Sequence, residues 1–296
     1  MQLDVRAALK EAMARLRAAD VTSHTLAAEL LLMHALGRDR TWLYTNPESV
    51  LDAGALEAYF ALVARRAAGE PTQYLTGKQE FWGLEFEVTP AVLIPRPETE
   101  HVIEVALERL GARGIKIDMI TGAPSPQLRV ADVGTGSGCL AVALAHEMPH
   151  AEITATDISA AALDVARRNA TLQGVVDRVH FIECDLLTGI LGAPFDLIVS
   201  NPPYVARSDS ASLAREVRDH EPHAALFGGP TGVEIYSRLV EQAGVLLRAG
   251  GILVLELGYN SADEVREMFH VQRHWANVSI TNDLAGIPRV LAAERI

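Results

Sequence analysis

From residue 128 onward the chain alternates between two periods, and this alternation limits the fold more than any other feature. Largely apolar runs, "LRVADV" (128–133), "EITATD" (152–157), "RVHFIE" (178–183), "FDLIVS" (195–200) and "GILVLEL" (251–257), are separated by helical stretches near 138–146, 159–174, 232–248 and 261–270. Strands without a polar face must be covered on both sides, and helices lying between successive strands supply that cover. The pattern therefore predicts an α/β fold built on a mostly parallel sheet. The final runs, "NVSITND" and "RVLAAER", flank a Gly-Ile-Pro turn, which permits an antiparallel hairpin closing one edge of the sheet.

The first part of the chain reads differently. Apolar residues recur at helical spacing: Val5, Leu9, Met13 and Leu16, then Leu26, Leu30, Met33 and Leu36, then Leu56, Tyr59, Phe60 and Val63. Ser23 is placed to cap the second of these helices and Gly37 to stop it, while Asp52 and Gly69 bracket a later one. Residues 1–70 are thus expected to form a small helical domain, and 71–98, where Phe81, Trp82, Phe86 and Val88 surround Gly83, a β-hairpin linker. The sheet domain would occupy 99–296, opening with a helix from Thr99 to about Gly111 and then a loose connection over 111–127. Two domains suit a chain of 296 residues.

Composition bears on partners. No apolar run approaches the ~18 residues of a membrane span, and the start "MQLDVRAALKEAMARLRAAD" lacks a signal peptide's apolar core, so a cytoplasmic protein without membrane contact is expected. The net charge is -12, and residues 71–296 hold 18 Lys and Arg against 29 Asp and Glu. Adjacent basic pairs occur only at Arg65-Arg66 and Arg167-Arg168, too few for the basic stripe of a direct nucleic-acid partner. Cys139 and Cys184 show neither C-x-x-C spacing nor neighbouring histidines, which points to small buried side chains and not to a disulfide or a metal site.

Three strands end in residues suited to a nucleoside. "VADVGTGSGCLAVALA" is a strand, a turn with Gly134, Gly136 and Gly138, and a helix start, where backbone amides can approach a ligand because no Cβ intervenes. The dinucleotide fingerprint would require Gly or Ala at 139, occupied here by Cys139. Asp157 ends the next strand, where an acid accepts from both ribose hydroxyls, and Asp185 follows the third, where a carboxylate meets an adenine edge. A tight turn and a helix cap would account for either feature alone. The ordered set resembles the class I S-adenosylmethionine-dependent methyltransferases, whose fold is Rossmann-like.

The fourth strand delivers "SNPPY" to the same edge. Each proline fixes its own φ and pushes the preceding residue out of helical geometry, holding Asn201 and Pro202 extended with two acceptors for one planar NH2 group. Tyr204 adds an aromatic wall. An amide or exocyclic amine nitrogen attacks poorly because its lone pair is delocalised; acceptors on its two N–H bonds favour the nitrogen as it pyramidalises, and alignment with a methyl donor does the rest. Neither a metal nor a strong base is needed, since the methylated nitrogen is acidic enough to lose its proton to water.

Nearly the full length resembles the HemK-type protein-glutamine N5-methyltransferases. The likeness lies in "GRDRTWLY", "YLTGKQEFWGLEFEVTPAVLIPRPETE", "DVGTGSG", "SNPPY", "HEPHAALFGG" and "NDLAGIPRV". The resemblance implies that Gly134, Thr135, Gly136, Ser137 and Gly138 contact S-adenosylmethionine, Asp157 its ribose, and Asp185 and Leu186 its adenine, with Asn201 between cofactor and substrate. It implies that Asn201, Pro202, Pro203 and Tyr204 hold a substrate glutamine, that of the Gly-Gly-Gln loop in class 1 peptide chain release factors, and that the helical domain docks the factor. Arg96, Glu98, Glu221 and Pro222 belong to the family motifs without an assigned role. "NPPY" would serve N6-adenine methylation of DNA or RNA equally well, with Tyr204 stacking on a flipped base. Glutamine methylation of a ribosomal protein and a non-catalytic binding module are further readings.

Overall fold

The computed structural model describes residues 3–113 and 127–296. In chain order its elements are α1 (Val5–Ala18), α2 (His24–Leu36), α3 (Arg40–Thr45), α4 (Ala53–Ala67), α5 (Thr72–Thr76), β1 (Lys78–Phe81), β2 (Leu84–Glu87), α6 (Glu100–Ala112), β3 (Arg129–Val133), α7 (Cys139–Glu147), β4 (Glu152–Asp157) and α8 (Ala160–Leu172). They continue with β5 (Val179–Glu183), β6 (Phe195–Ser200), β7 (Val205–Ala206), α9 (Arg215–His220), α10 (His223–Leu226), β8 (Phe227–Gly229), α11 (Glu234–Leu246), β9 (Leu247–Glu256), α12 (Ala262–Val271), β10 (Trp275–Asn282) and β11 (Pro288–Arg295). The chain divides into two compact units, Met1–Lys78 with Leu213–His220, and Gln79–Ser212 with Glu221–Ile296. Most of the connection expected at 111–127 lies outside the described residues.

In the first unit, Val5, Ala8, Ala12 and Leu16 bury one face of α1 at three- and four-residue spacing, and they share a core with Leu31, Leu32, Tyr59 and Val63. Aspartates cap three of the helices: Asp4 accepts from the Ala7 N–H, Asp39 from Trp42 and Asp52 from Ala55, at 2.7, 2.7 and 2.9 Å. Ser23 stands at the N-cap of α2 but makes no side-chain cap bond, whereas Gly37 ends that helix at φ 60° as expected. The motif "GRDRTWLY" neutralises a buried acid: Glu29 accepts from the Tyr44 hydroxyl at 2.5 Å and pairs with Arg40 at 2.8 Å. Residues 72–76, read as part of a linker, form α5, which buries Leu75 in this helical core. The segment 213–220 joins the same unit, where Glu216 pairs with the buried Arg66.

The second unit is a seven-stranded sheet of order β10-β11-β9-β6-β3-β4-β5. Strands β9, β6, β3, β4 and β5 are parallel, and β11 runs antiparallel between β9 and β10, as the closing hairpin predicts. Alternate residues of each strand feed two cores. Val130, Leu197 and Val199 pack with α6 and α7, and Ala131, Val133 and Ile198 pack with α11 and α12. The β1–β2 hairpin belongs to the first of these cores through Phe81 and Phe86. Its two-residue turn puts both Trp82 and Gly83 at positive φ, 54° and 69°. A tryptophan holds that conformation because its backbone N–H donates to Glu100 at 2.8 Å and its indole N–H to Glu147 at 2.7 Å.

One buried amide ties the hairpin to the glycine turn. Asn169 on α8 accepts from the Glu87 N–H at 2.7 Å and donates to the carbonyls of Glu87 and Ser137 at 3.0 and 2.8 Å. Removing it leaves three backbone groups without this partner, the Ser137 carbonyl buried and the two of Glu87 partly buried. We expect Asn169→Ala to lower unfolding free energy by about 1–3 kcal/mol for each group left unpaired. Arg168→Ala, which removes a half-exposed ion pair with Glu87, should cost under about 1 kcal/mol. Equal shifts in urea midpoints for the two variants would contradict this account.

Candidate active site

Sheet register assembles the site. Val133 of β3 pairs with Thr156 of β4 and Ser200 of β6, and Ser200 pairs with Leu255 of β9. The next residue on each strand, Gly134, Asp157, Asn201 and Glu256, therefore stands in one row at the carboxyl edge. A cavity of about 330 Å³ opens there. Gly134, Thr135, Gly136, Ser137, Asp157, Asp185, Leu186, Asn201 and Pro203 line it, while Gly138, Pro202 and Tyr204 do not.

On the glycine side, Gly134 and Gly136 have φ of 72° and 55°, and a Cβ built on either would meet no atom within 4 Å. Their backbone is thus bare to the cavity. Gly138 serves packing instead: a Cβ there would approach that of Ala166 to 3.0 Å, so its absence lets α7 and α8 meet. Asp132 fastens the turn from below, accepting from Thr135 Oγ1 at 2.6 Å and the Ala141 N–H at 3.0 Å, and burial pushes its carboxyl up to about 7.

Asp157 accepts from the Gly136 and Ser159 N–H groups, both at 2.9 Å, one to each carboxylate oxygen. It therefore combines the helix-entry role with lone pairs to spare on both oxygens. Burial raises its pKa, and these N–H groups oppose the rise. Asp185 reaches the cavity as an ion pair with Arg238 at 2.5 Å in place of an isolated carboxylate. Leu186 adopts φ 55°, held there by Thr156, whose hydroxyl donates to the Leu186 carbonyl at 2.8 Å. Cys139 and Cys184 are free and half-buried, not buried as their apolar contexts suggested, because Cys139 opens α7 at the cavity wall and Cys184 lies just past the end of β5.

On the "SNPPY" side, Ser200 stitches β6 to β3 by donating to the Val133 carbonyl at 2.6 Å. Asn201 lines the cavity, and its Nδ2 donates to Thr99 Oγ1 at 3.0 Å, which leaves Oδ1 as a free acceptor among the described residues. Thr99 in turn donates to Glu256 Oε2 at 2.6 Å, and the Tyr204 hydroxyl to Glu256 Oε1 at 3.3 Å. Burial raises the pKa of Tyr204 and pushes the Glu256 carboxyl up to about 7, against the opposing hydrogen bonds and the Arg289 charge. Glycine admits this crowding: a Cβ on Gly258 would come within 2.8 Å of the Tyr204 ring, and one on Gly228 would collide with the Pro203 carbonyl.

The family-motif residues without an assigned role form the frame. Buried Glu221 accepts from Arg96 at 2.5 Å and from the Ile94 N–H at 3.3 Å, joining the "IPRP" and "HEPH" segments, and Pro222 lines the cavity. Asp283 accepts from the Ala285 and Ile287 N–H groups and holds Arg289 at 3.0 Å. Sequence reasoning missed Thr99 and Glu256 as site residues. The available signal for Glu256 was a lone acid in the apolar run "GILVLEL" at the carboxyl end of its strand.

Residues 7–77 match the PrmC N-terminal domain family, and residues 119–221 match the methyltransferase small domain. Two solved structures agree in fold. They are the hMettl16 catalytic domain in complex with a MAT2A 3'UTR hairpin (TM-score 0.56, 19% identity, 78% of this chain and 81% of that one) and a methyltransferase from Pyrococcus furiosus (0.50, 18%, 78% and 96%). The chain is 45% identical over 294 residues to the release factor glutamine methyltransferase of Koribacter versatilis (strain Ellin345), covering 99% of each. It is 46% identical over 271 residues to that of Chlorobaculum tepidum, covering 90% of this chain and 89% of the other. Likeness at that level, running through both units and the edge that carries Asn201, makes this chain a member of the release factor glutamine methyltransferase family.

Proposed function

We propose that the chain transfers the methyl group of S-adenosylmethionine to the side-chain amide nitrogen, N5, of the glutamine in the Gly-Gly-Gln motif of class 1 peptide chain release factors, in the cytoplasm. The observation that carries this reading is the half-used Asn201 amide: its NH2 end is turned to Thr99, to which one N–H donates, and its oxygen remains as an acceptor on a residue that lines the cavity. A planar substrate NH2 offers the matching donors.

The cavity suits the cofactor. The bare backbone of Gly134 and Gly136 admits a ligand closely, Asp157 has acceptor capacity for adjacent hydroxyls, and Leu186 and Ile158 provide apolar contact. When bound, S-adenosylmethionine supplies an electrophilic methyl on a sulfonium. The chain's own contribution is placement and acceptors. Asn201 Oδ1 accepts from the amide as its nitrogen pyramidalises, and Pro202, which does not line the cavity, acts with Pro203 to keep that arrangement from relaxing. Tyr204, anchored on Glu256, braces this corner without lining the cavity.

Charge supports a protein substrate over a nucleic acid. All four arginines of the adjacent basic pairs are matched with carboxylates: Arg65 with Glu70, Arg66 with Glu216, Arg167 with Asp164 and Arg168 with Glu87. The relatives' names support release factor as that protein.

Labelled S-adenosylmethionine offered with release factor, ribosomal protein, duplex DNA and single-stranded DNA should label only the factor's glutamine. Label on DNA would favour the adenine reading. Asn201→Ala should lower kcat by roughly 10²–10³, the usual loss for one preorganised polar group, with little change in cofactor Kd by calorimetry. Asp157→Ala should show the reverse pattern, weakening cofactor binding by about 1.5–3 kcal/mol per charge-assisted bond. An unchanged Kd would remove Asp157 from the ribose.

A further inference from the structure

Glu256 is 1% exposed, ends β9 and does not line the cavity, yet two groups of the "SNPPY" side terminate on it, one of them the cavity-lining Thr99. The relay from Asn201 Nδ2 to Thr99 Oγ1 to Glu256 Oε2 has a direction, because a hydroxyl carries one proton. An ionised Glu256 has no proton to give, so Thr99 must donate to it and has only an acceptor left for Asn201. The Asn201 NH2 then points to Thr99 and its oxygen to the cavity. A protonated Glu256 donates to Thr99, which frees the Thr99 proton to turn toward Asn201. The amide is then satisfied the other way round, with oxygen on Thr99 and NH2 facing the cavity, where it opposes the donors of a substrate NH2.

We propose that Glu256 is a positioning residue that acts through Thr99 to decide which end of the Asn201 amide faces the substrate, so that the enzyme is active with Glu256 ionised. This rests on the reading that Asn201 Oδ1 accepts from the substrate amide. The setting makes the carboxylate able to change state near neutrality. Glu98 and Thr99 face it from the turn before α6, Tyr204 from the "SNPPY" loop, Tyr236 from α11 through a hydroxyl that donates to the Glu256 carbonyl at 2.8 Å, Cys139 from α7 and Arg289 from β11. Among these groups Arg289 alone is cationic, and it is already engaged by Asp283, so burial prevails and the carboxyl lies at about 7. The sign follows: the active form is lost as pH falls through that value.

The test is kcat against pH at saturating cofactor with release factor as substrate, which separates this effect from titration of groups that act on cofactor binding. Wild type should show an acid limb near neutrality, and Glu256→Gln a lowered, flat profile, since a glutamine can donate to Thr99 at every pH. Thr99→Val should lose about tenfold or more in kcat, the scale of one hydrogen bond, with cofactor Kd and the KM for the factor nearly unchanged. Thr99→Ser should recover most of that loss. A fully active Thr99→Val, a Glu256→Gln that keeps the acid limb, or a wild type without one would overturn the proposal. Asn201→Ala tells the two readings apart. If it is inactive while Thr99→Val is fully active, only the relay fails, whereas an active Asn201→Ala removes the substrate role beneath it.

Discussion

The registration of β4, β3, β6 and β9 is the constraint on which the site depends. Because side chains alternate faces along a strand, a slip of one residue in any of the four would turn its apolar residues out of one core and withdraw its terminal residue from the row Gly134, Asp157, Asn201, Glu256. Burial on both faces makes such a slip costly. Val130, Leu197 and Val254 serve one core and Val133, Ile198 and Leu255 the other, all at 0% exposure. The packing that stabilises the sheet thus also aligns the chemistry.

Polar groups then convert alignment into orientation. Asp132, Asn169, Ser200 and Glu256 are each buried, and each is hydrogen-bonded to a segment that borders the cavity. Buried polar groups are costly when unpaired, so each restrains its segment strongly. Asp132 and Asn169 hold the glycine turn, Ser200 the end of β6, and Glu256 both Thr99 and Tyr204. The motifs outside that row act in the same way, Glu221 on the "IPRP" segment and Asp283 on Arg289.

Much of this is legible before folding because it is carried by local pattern. Helix periods, the Asp52 cap, Gly37 as a helix stop, the strand ends at Asp157 and Ser200 and the closing hairpin all follow from neighbours in sequence. What escaped involves partners far apart in the chain. The hairpin has apolar residues on either reading, and only Phe81 and Phe86 packing in the sheet core assign it to that unit. Segment 213–220 carries nothing that marks it as part of the helical unit, which it joins where Glu216 meets Arg66 across 150 residues.

The same division runs through the site. The sequence by itself determined the α/β class, the glycine turn, the order of the strand ends that border the cavity and the rigid Asn-Pro-Pro-Tyr corner, since periodicity, missing Cβ atoms and proline rings act over a few residues. Only the tertiary structure decided that Gly138 packs helices together, that Asp185 is paired with Arg238, and that the Asn201 amide is held by Thr99 and Glu256. Those last three residues are separated by 102 and 157 positions along the chain, and a hydrogen bond between them exists only once sheet register has brought β6, β9 and the turn before α6 to one edge.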